Sequence, residues 1–277
     1  MADGGALLVC ATPIGNLGDV TLRVLDALRT CDVIAAEDTR VTRKLLSRYE
    51  IHTPCEAYHE HNRAMKTSGL VDRIARGERI ALVSDAGMPG ISDPGSHLVD
   101  ACLDAGVHVE VLPGASAITT ALVASGLPTH AFYFGGFLPR KPGERARALA
   151  RLSELDATLI FYESPGRTAA TLASLAEAFP GRTGALAREL TKIHEEVARG
   201  DLTELAEAFA ERPLKGEVVL LIGPPAAPHQ LTLDEDEVRD RLRAAEAAGA
   251  TRRDAVRDVA KALGLPRNEV YRIALGE

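Results

Sequence analysis

Two loops in this chain combine glycine, proline and an acid directly after short apolar runs. Ser84-Asp85-Ala86-Gly87-Met88-Pro89-Gly90-Ile91-Ser92-Asp93-Pro94-Gly95 follows residues 80–83, and Ala11-Thr12-Pro13-Ile14-Gly15-Asn16-Leu17-Gly18-Asp19 follows residues 6–10. Glycines at a strand's carboxyl end let backbone approach a ligand closely in dihedrals that other residues avoid. Two such loops in one pattern predict a single small-molecule site assembled from both. Elsewhere, Glu37, Asp38, Asp85, Glu189 and Lys192 are candidates for moving a proton, and their types alone leave the choice open. The guanidinium forks of Arg40 and Arg188 suit phosphates, or equally a structural ion pair.

Several chemistries lack their signatures. No Walker lysine follows the first loop, and Gly15-Asn16-Leu17-Gly18 departs from the dinucleotide fingerprint, which argues against phosphoryl transfer and ordinary dinucleotide binding. No G-x-S-x-G elbow marks a hydrolase. His59-Glu60-His61 lacks a Cys or carboxylate partner at ligand spacing, so it reads as a polar loop and no metal is expected.

The elements that must position these residues alternate. Residues 7–10, 33–36, 80–83 and 107–112 read as strands, while Val20, Val24, Leu25 and Leu28, then Leu70, Val71 and Ile74, recur at helical spacing. Asp19 or Thr21 can cap the first helix, and Gly77 ends a later one. Strands alternating with helices predict βαβ units and a mainly parallel sheet. A small-residue helix opens at Pro113-Gly114-Ala115-Ser116-Ala117, and the first α/β domain is placed at 1–125. The pattern restarts in a second α/β domain, 126–224, with strands at 132–135, 158–162, 184–187 and 218–222. Its helices are expected at 145–155, 167–178 and 202–212, with a β excursion at 193–198. The stiff stretch 223–228 leads into a third part, 225–277, with helices at 235–247, 252–263 and 266–274. Val256, Val259, Ala260, Leu263, Val270 and Ile273 would give that part a shared core. Its last two helices fit a helix-turn-helix or a plain αα-hairpin.

The chain has 277 residues, 46% of them hydrophobic, a soluble globular balance sufficient for two cores. No apolar run approaches the ~20 residues needed to span a bilayer, and the first five residues lack a signal-peptide pattern. The scattered Cys10, Cys31, Cys55 and Cys102 read as small buried hydrophobes in a reducing cytoplasm. A formal net charge of −7 argues against wholesale nucleic-acid binding, so any phosphate affinity must be local. Local basic segments exist: Arg140, Lys141, Arg145, Arg147 and Arg151 stand against Glu144 alone, and from Val238 onward nine basic residues face six acids.

Seven words in register resemble one known group. They are Thr12-Pro13-Ile14-Gly15-Asn16, residues 35–40 (Ala-Ala-Glu-Asp-Thr-Arg), the 84–94 loop, Gly136-Phe137-Leu138-Pro139, Phe161-Tyr162-Glu163-Ser164, Ala187-Arg188-Glu189-Leu190-Thr191-Lys192 and Lys215-Gly216-Glu217. The chain resembles, from about residue 7 to 222, the bacterial 16S ribosomal RNA methyltransferase I group of the tetrapyrrole methylase superfamily. The resemblance implies two α/β domains with S-adenosylmethionine folded in the cleft between them. It implies methyl transfer to the ribose 2′-oxygen of a decoding-region cytidine in 16S RNA of the 30S subunit, commonly by a homodimer. Carried onto this sequence, the expected cofactor residues are Pro13, Ile14, Ser84, Asp85, Gly87, Met88, Ile91, Ser116, Ala117, Tyr162, Glu163, Ala187 and Glu217. Met88 stands where precorrin enzymes of the superfamily usually carry an aspartate. Asp85, Glu189 and Lys192 are the expected catalytic groups, and Arg40, Arg140, Lys141, Arg145, Arg147 and Arg188 the expected RNA contacts. The alternatives are a precorrin C-methyltransferase, which would need no basic segment, and a non-catalytic nucleic-acid-binding module.

Overall fold

Two five-stranded sheets carry the chain's chemistry. The structure, a computed structural model, describes residues 4–93, 95–225, 235–263, 265 and 267–275, the side chain of Asn268 apart. Pro94, the second half of the expected linker and the Gly264 and Pro266 turn positions lie outside the described residues. The chain separates into two compact units, Met1–Pro225 and Ala226–Glu277.

The first sheet contains β1 (Ala6–Cys10), β2 (Val33–Ala36), β3 (Cys55–Ala57), β4 (Arg79–Val83) and β5 (His108–Leu112). Its order is β3-β2-β4-β1-β5 and every pairing is parallel. Helices α1 (Leu22–Thr30), α2 (Thr39–Arg48), α3 (Arg63–Ala75) and α4 (Gly95–Asp104) make the crossovers. β1 and β2 are buried along their whole length, which is why their sequences are continuous apolar runs rather than alternating ones. Of the two caps open to α1, Thr21 is used: its hydroxyl accepts the Val24 amide. The helices α2 and α4 and the short edge strand β3 add to the elements expected. β3 is only half-buried over three residues, too little for a periodic signal.

α5 (Ala117–Ser125) then turns the chain at Gly126, whose φ of +71° is the left-handed cap that glycine adopts without strain. The second sheet holds β6 (Phe132–Phe137), β7 (Thr158–Glu163), β8 (Thr183–Arg188), β9 (Glu196–Asp201) and β10 (Val218–Ile222) in the order β6-β7-β10-β8-β9. Only β6 and β7 run parallel; the other neighbours are antiparallel. The restarted βαβ pattern therefore does not carry its parallel pairing through this half, because β10 inserts between β7 and β8. Helices α6 (Pro142–Ala150), α7 (Thr168–Ala178) and α8 (Leu202–Phe209) cover this sheet. α6 starts at Pro142, earlier than expected, with the proline in the first turn where its missing amide costs nothing.

α5, which follows the first sheet in sequence, packs on β8, β9 and β10 of the second. Ala121 and Leu122 of α5, Ile14 of the first loop, Ile160, Ala187 and Leu221 form one buried cluster. That cluster ties the two halves of the first unit together, and each fully buried Leu or Ile in it is worth about 1.5–3 kcal/mol. In the second unit, α9 (Glu235–Ala247), α10 (Arg252–Leu263) and α11 (Arg267–Leu275) enclose Val238, Leu242, Val256, Val259, Ala260, Val270 and Ile273. Among the described residues no helix is long and apolar enough to cross a membrane.

Candidate functional site

A cavity of about 370 Å³ opens where β1, β4 and β5 end, facing β7 and β10 of the second sheet. In a parallel sheet the loops leaving the carboxyl ends gather on one side, so both glycine loops reach the same place. They are sewn to each other. The Thr12 amide donates to the Gly87 carbonyl at 2.9 Å and the Gly87 amide donates back at 3.0 Å. The Thr12 hydroxyl donates to the Ser84 carbonyl at 3.1 Å. Gly87 has a φ of +81°, so its peptide takes an orientation that an L side chain resists. Asp93 organises the rest of this loop from within, its carboxylate accepting the Gly90 amide at 2.8 Å and the Gly95 amide at 2.7 Å.

The walls are largely apolar. Ile14, Met88 and Ile91 come from the two loops, Phe137 and Tyr162 from β6 and β7, and Val218 and Val219 from β10. A bulge at Gly135-Gly136 shifts the register of β6 and aims Phe137 edge-on at Tyr162, 5.7 Å between ring centres. Burial pushes the Tyr162 phenol up to about 12, so it stays a neutral donor. Ser116 and Ala117 line the cavity where α5 begins, and the Ser116 side chain makes no capping bond. The helix thus presents its free first-turn amides and a spare hydroxyl to the cavity, a ready site for a carboxylate.

Carboxylates ring the opposite edge in three different states. Glu37 and Asp85 face the cavity without a cationic partner on Glu37. The Asp85 amide donates to Glu37 Oε2 at 3.2 Å, and the Asp38 amide donates to Asp85 Oδ1 at 3.0 Å. Loss of hydration first, and neighbouring acids second, raise the Glu37 carboxyl above its ordinary range. Desolvation raises Asp85 likewise, opposed by the bond from the Asp38 amide and then by Arg40. Asp38 is the reverse case: the Arg40 guanidinium, 2.6 Å away, lowers it to about 2. Glu163 is fully spent, its carboxylate accepting the Ser164 amide at 2.7 Å and the Thr171 hydroxyl at 2.7 Å, with Arg167 at 3.2 Å.

Glu189 and Lys192 belong to a third arrangement. Lys192 Nζ bridges Glu189 Oε1 at 2.8 Å and Glu217 Oε2 at 3.0 Å. Glu189 Oε1 also accepts the Glu217 amide. Held this way, Glu189 is lowered by its bond to Lys192, and neither group is free to take a proton. The pair instead anchors the turn after β8, where Thr191 Oγ1 accepts the Asn16 amide at 2.9 Å. Glu189 and Lys192, expected as catalytic groups, are thus found paired with each other, an arrangement that the same residue types also serve structurally.

Most expected cofactor positions line the cavity: Ile14, Ser84, Asp85, Gly87, Met88, Ile91, Ser116, Ala117, Tyr162, Glu163 and Glu217. Pro13 and Ala187 do not; Pro13 is buried beneath its loop, and Ala187 faces the cluster under α5. The cavity also takes in Glu37, Ser92, Asp93, Phe137, Ser164 and Gly216. Val218 and Val219 had no signal beyond a buried strand, whereas Phe137 was marked by the two glycines before it. Of the expected RNA contacts, Arg140, Lys141 and Arg147 are exposed. Arg145 is not: it is 7% exposed and its Nε donates to Ser174 at 3.0 Å, since α6 turns that position onto α7. Arg188 is committed to Glu196 at 2.6 Å and Arg40 to Asp38. Among the described residues, no group of three or more His, Cys, Asp or Glu is placed to hold a metal ion.

Comparison with known proteins gives this geometry a context. Residues 6–206 match the family model described as Tetrapyrrole (Corrin/Porphyrin) Methylases. A Synechocystis protein named ribosomal RNA small subunit methyltransferase I is 46% identical over 273 residues, covering 98% of both chains. The Bacillus subtilis protein of the same name is 41% identical over 276 residues, covering 98% of this chain and 94% of its own. Among solved structures, the methyltransferase CobJ superposes with a TM-score of 0.59 at 22% identity, covering 80% of this chain and 95% of its own. Uroporphyrin-III C-methyltransferase from Thermus thermophilus, complexed with S-adenosyl homocysteine, gives 0.54 at 22% identity, covering 79% of this chain and 97% of its own. At those identities the structures share the fold alone.

Proposed function

The chain belongs to the tetrapyrrole methylase family, within its ribosomal RNA small subunit methyltransferase I group, and from that membership we propose that it methylates a cytidine ribose 2′-oxygen in 16S ribosomal RNA using S-adenosylmethionine. The substrate class rests on relatives at 41–46% identity that cover nearly the whole chain, whereas the macrocycle methylases resemble it in fold only. The observation that carries the cofactor assignment is the cavity itself, an apolar slot of ligand size with the uncapped start of α5 at one end.

The residues present fit the cofactor's chemistry. The amides opening α5 and the Ser116 hydroxyl suit its carboxylate, and Met88, Ile91 and Tyr162 its adenine and methionine chain. When bound, the cofactor supplies an electrophilic methyl group on a sulfonium. The sewn loops hold their backbone groups rigid, so positioning costs little at the moment of reaction. Apolar walls exclude water that would compete with the ribose hydroxyl. Arg140, Lys141 and Arg147 offer a local cationic face to phosphates on a protein whose net charge is −7.

The test offers labelled S-adenosylmethionine with methyl-deficient 30S subunits, naked 16S RNA and a precorrin, followed by nucleoside digestion. Label in 2′-O-methylcytidine supports the proposal, and label only in the precorrin overturns it. We also read the protein as a cytoplasmic homodimer. Supporting this are the buried, unpaired thiols of Cys10, Cys31 and Cys102 and the exposed apolar side chains of Val111, Val123 and Phe132. A monomer mass by light scattering at micromolar concentration would contradict the dimer.

A further inference from the structure

Every acid near the cavity except Glu37 and Asp85 has its carboxylate committed. Asp38 binds Arg40, Asp93 binds two loop amides, Glu163 binds Ser164, Thr171 and Arg167, and Glu217 shares Lys192 with Glu189. Asp85 spends one oxygen on the Asp38 amide and lies within the field of Arg40. Glu37 has one oxygen fixed by the Asp85 amide, while Oε1 has no partner among the described residues. It continues β2, its own amide donating to the Val83 carbonyl at 3.2 Å, so its backbone is as rigid as the sheet.

Resting on the function proposed above, we propose that Glu37 Oε1 is the group that accepts the proton of the ribose hydroxyl. The O–H bond breaks with its electron pair left on oxygen, and the proton goes to the carboxylate. The new bond joins that oxygen to the methyl carbon as the carbon–sulfur bond breaks, its pair remaining on sulfur. Charges balance without oxidant or reductant: sulfonium and carboxylate become neutral thioether and carboxylic acid. One oxygen held by an amide fixes the carboxylate while the other stays without a donor, as a proton acceptor at the cavity needs.

The setting raises the Glu37 carboxyl above its ordinary range, desolvation outweighing the amide bond from Asp85 that opposes it. Facing Glu37 are Asp85 and Asp93 from the loop after β4, and Asp38 from the start of α2. Arg40 neutralises Asp38, so of the three acids Asp85 repels a charge on Glu37 most. All three acids, after desolvation, push the Glu37 carboxyl up.

The experiment compares wild type, Glu37→Gln and Asp85→Asn. Glu37→Gln should lower kcat about 10²–10⁴-fold on 30S subunits with S-adenosylmethionine affinity by calorimetry within about twofold. It should also abolish the acidic limb of the pH–rate profile. Asp85→Asn keeps the acceptor for the Asp38 amide but removes a charge, and should move that limb to lower pH. A readout without turnover is thermal stability of the cofactor-free protein. An acid raised in the folded state favours folding below its unfolded pKa, and that advantage is lost as pH rises through its folded pKa. Glu37→Gln should therefore have a higher Tm than wild type at pH 7, the gap closing toward pH 4. A large loss of cofactor affinity in Glu37→Gln would make the residue a cofactor ligand and overturn the proposal. So would an unchanged pH profile in both variants. Wild type inactive on every RNA substrate would instead overturn the function on which this rests.

Discussion

Thr12 and Gly87 exchange both of their backbone hydrogen bonds, at 2.9 and 3.0 Å, although 75 residues separate them in sequence. The loops after β1 and β4 are thereby one surface, and displacement of either moves the cavity wall. Gly87 bears the sharper constraint. A Cβ there would meet only Ile14 Cγ2 at 3.5 Å and the Ala115 carbonyl at 3.7 Å, ordinary contacts, so its φ of +81° rather than crowding forbids a side chain.

Gly87→Val should therefore fold, with stability lowered by about 1–2 kcal/mol from the left-handed backbone. It should lose S-adenosylmethionine affinity at least ~10-fold because the branched side chain enters the cavity. Calorimetry beside a melting curve checks both; equal affinity in a folded variant would remove this loop from the site.

Gly15 is constrained by space instead. A Cβ would lie 2.6 Å from Lys192 Cγ and 2.8 Å from the Leu190 carbonyl, which is backbone and cannot step aside. Gly15→Ala should cost about 1–3 kcal/mol by prising the first loop from the turn after β8. Urea unfolding at constant slope measures it, and a cost below a few tenths would show that the loop relaxes freely.

Lys192 gives the protein a pH signature. Its bond lowers the Glu189 carboxyl, so the stabilisation is present above the ordinary carboxylate range and is lost as pH falls through the lowered value. Lys192→Met should cost about 1 kcal/mol at pH 7, a partly buried pair being near the top of the usual range. The Tm difference from wild type should narrow toward pH 3. A difference constant with pH would place the loss in packing rather than charge.

The basic segment divides by exposure. Neutralising Arg140, Lys141 and Arg147 should leave the melting temperature near wild type and lower the log–log salt slope of 30S binding by roughly 0.7–0.9 for each phosphate that is no longer neutralised. Arg145→Ala should do the opposite, destabilising the fold by removing a buried bond to Ser174 while leaving the slope intact. Filter binding across a salt series, with melts alongside, separates the two; an unchanged slope in the triple variant makes these residues a solvated helix face.

The strands of both sheets except the short edge strand β3 were legible in the amino-acid order, because continuous apolar runs such as 80–83 and 218–222 are diagnostic of burial on both faces. Both cavity-lining loops were legible too, since glycine and proline announce unusual backbone wherever they cluster. Strand order was out of reach: β10 inserts between β7 and β8 from far along the chain, and local periodicity carries no register between strands. The roles of the charged residues were equally hidden. Glu37, Glu163 and Glu189 are one residue type, yet one lines the cavity without a cation, one is consumed by three donors and one is locked to a lysine. Those differences arise from partners brought in by distant segments, such as Thr171 on α7 and Lys192 in the turn after β8. Arg145 shows the same limit: its neighbours in sequence are exposed, and only the packing of α6 on α7 turns it inward. Residue type sets which chemistry is available, while the tertiary partners set a group's charge, exposure and freedom to act.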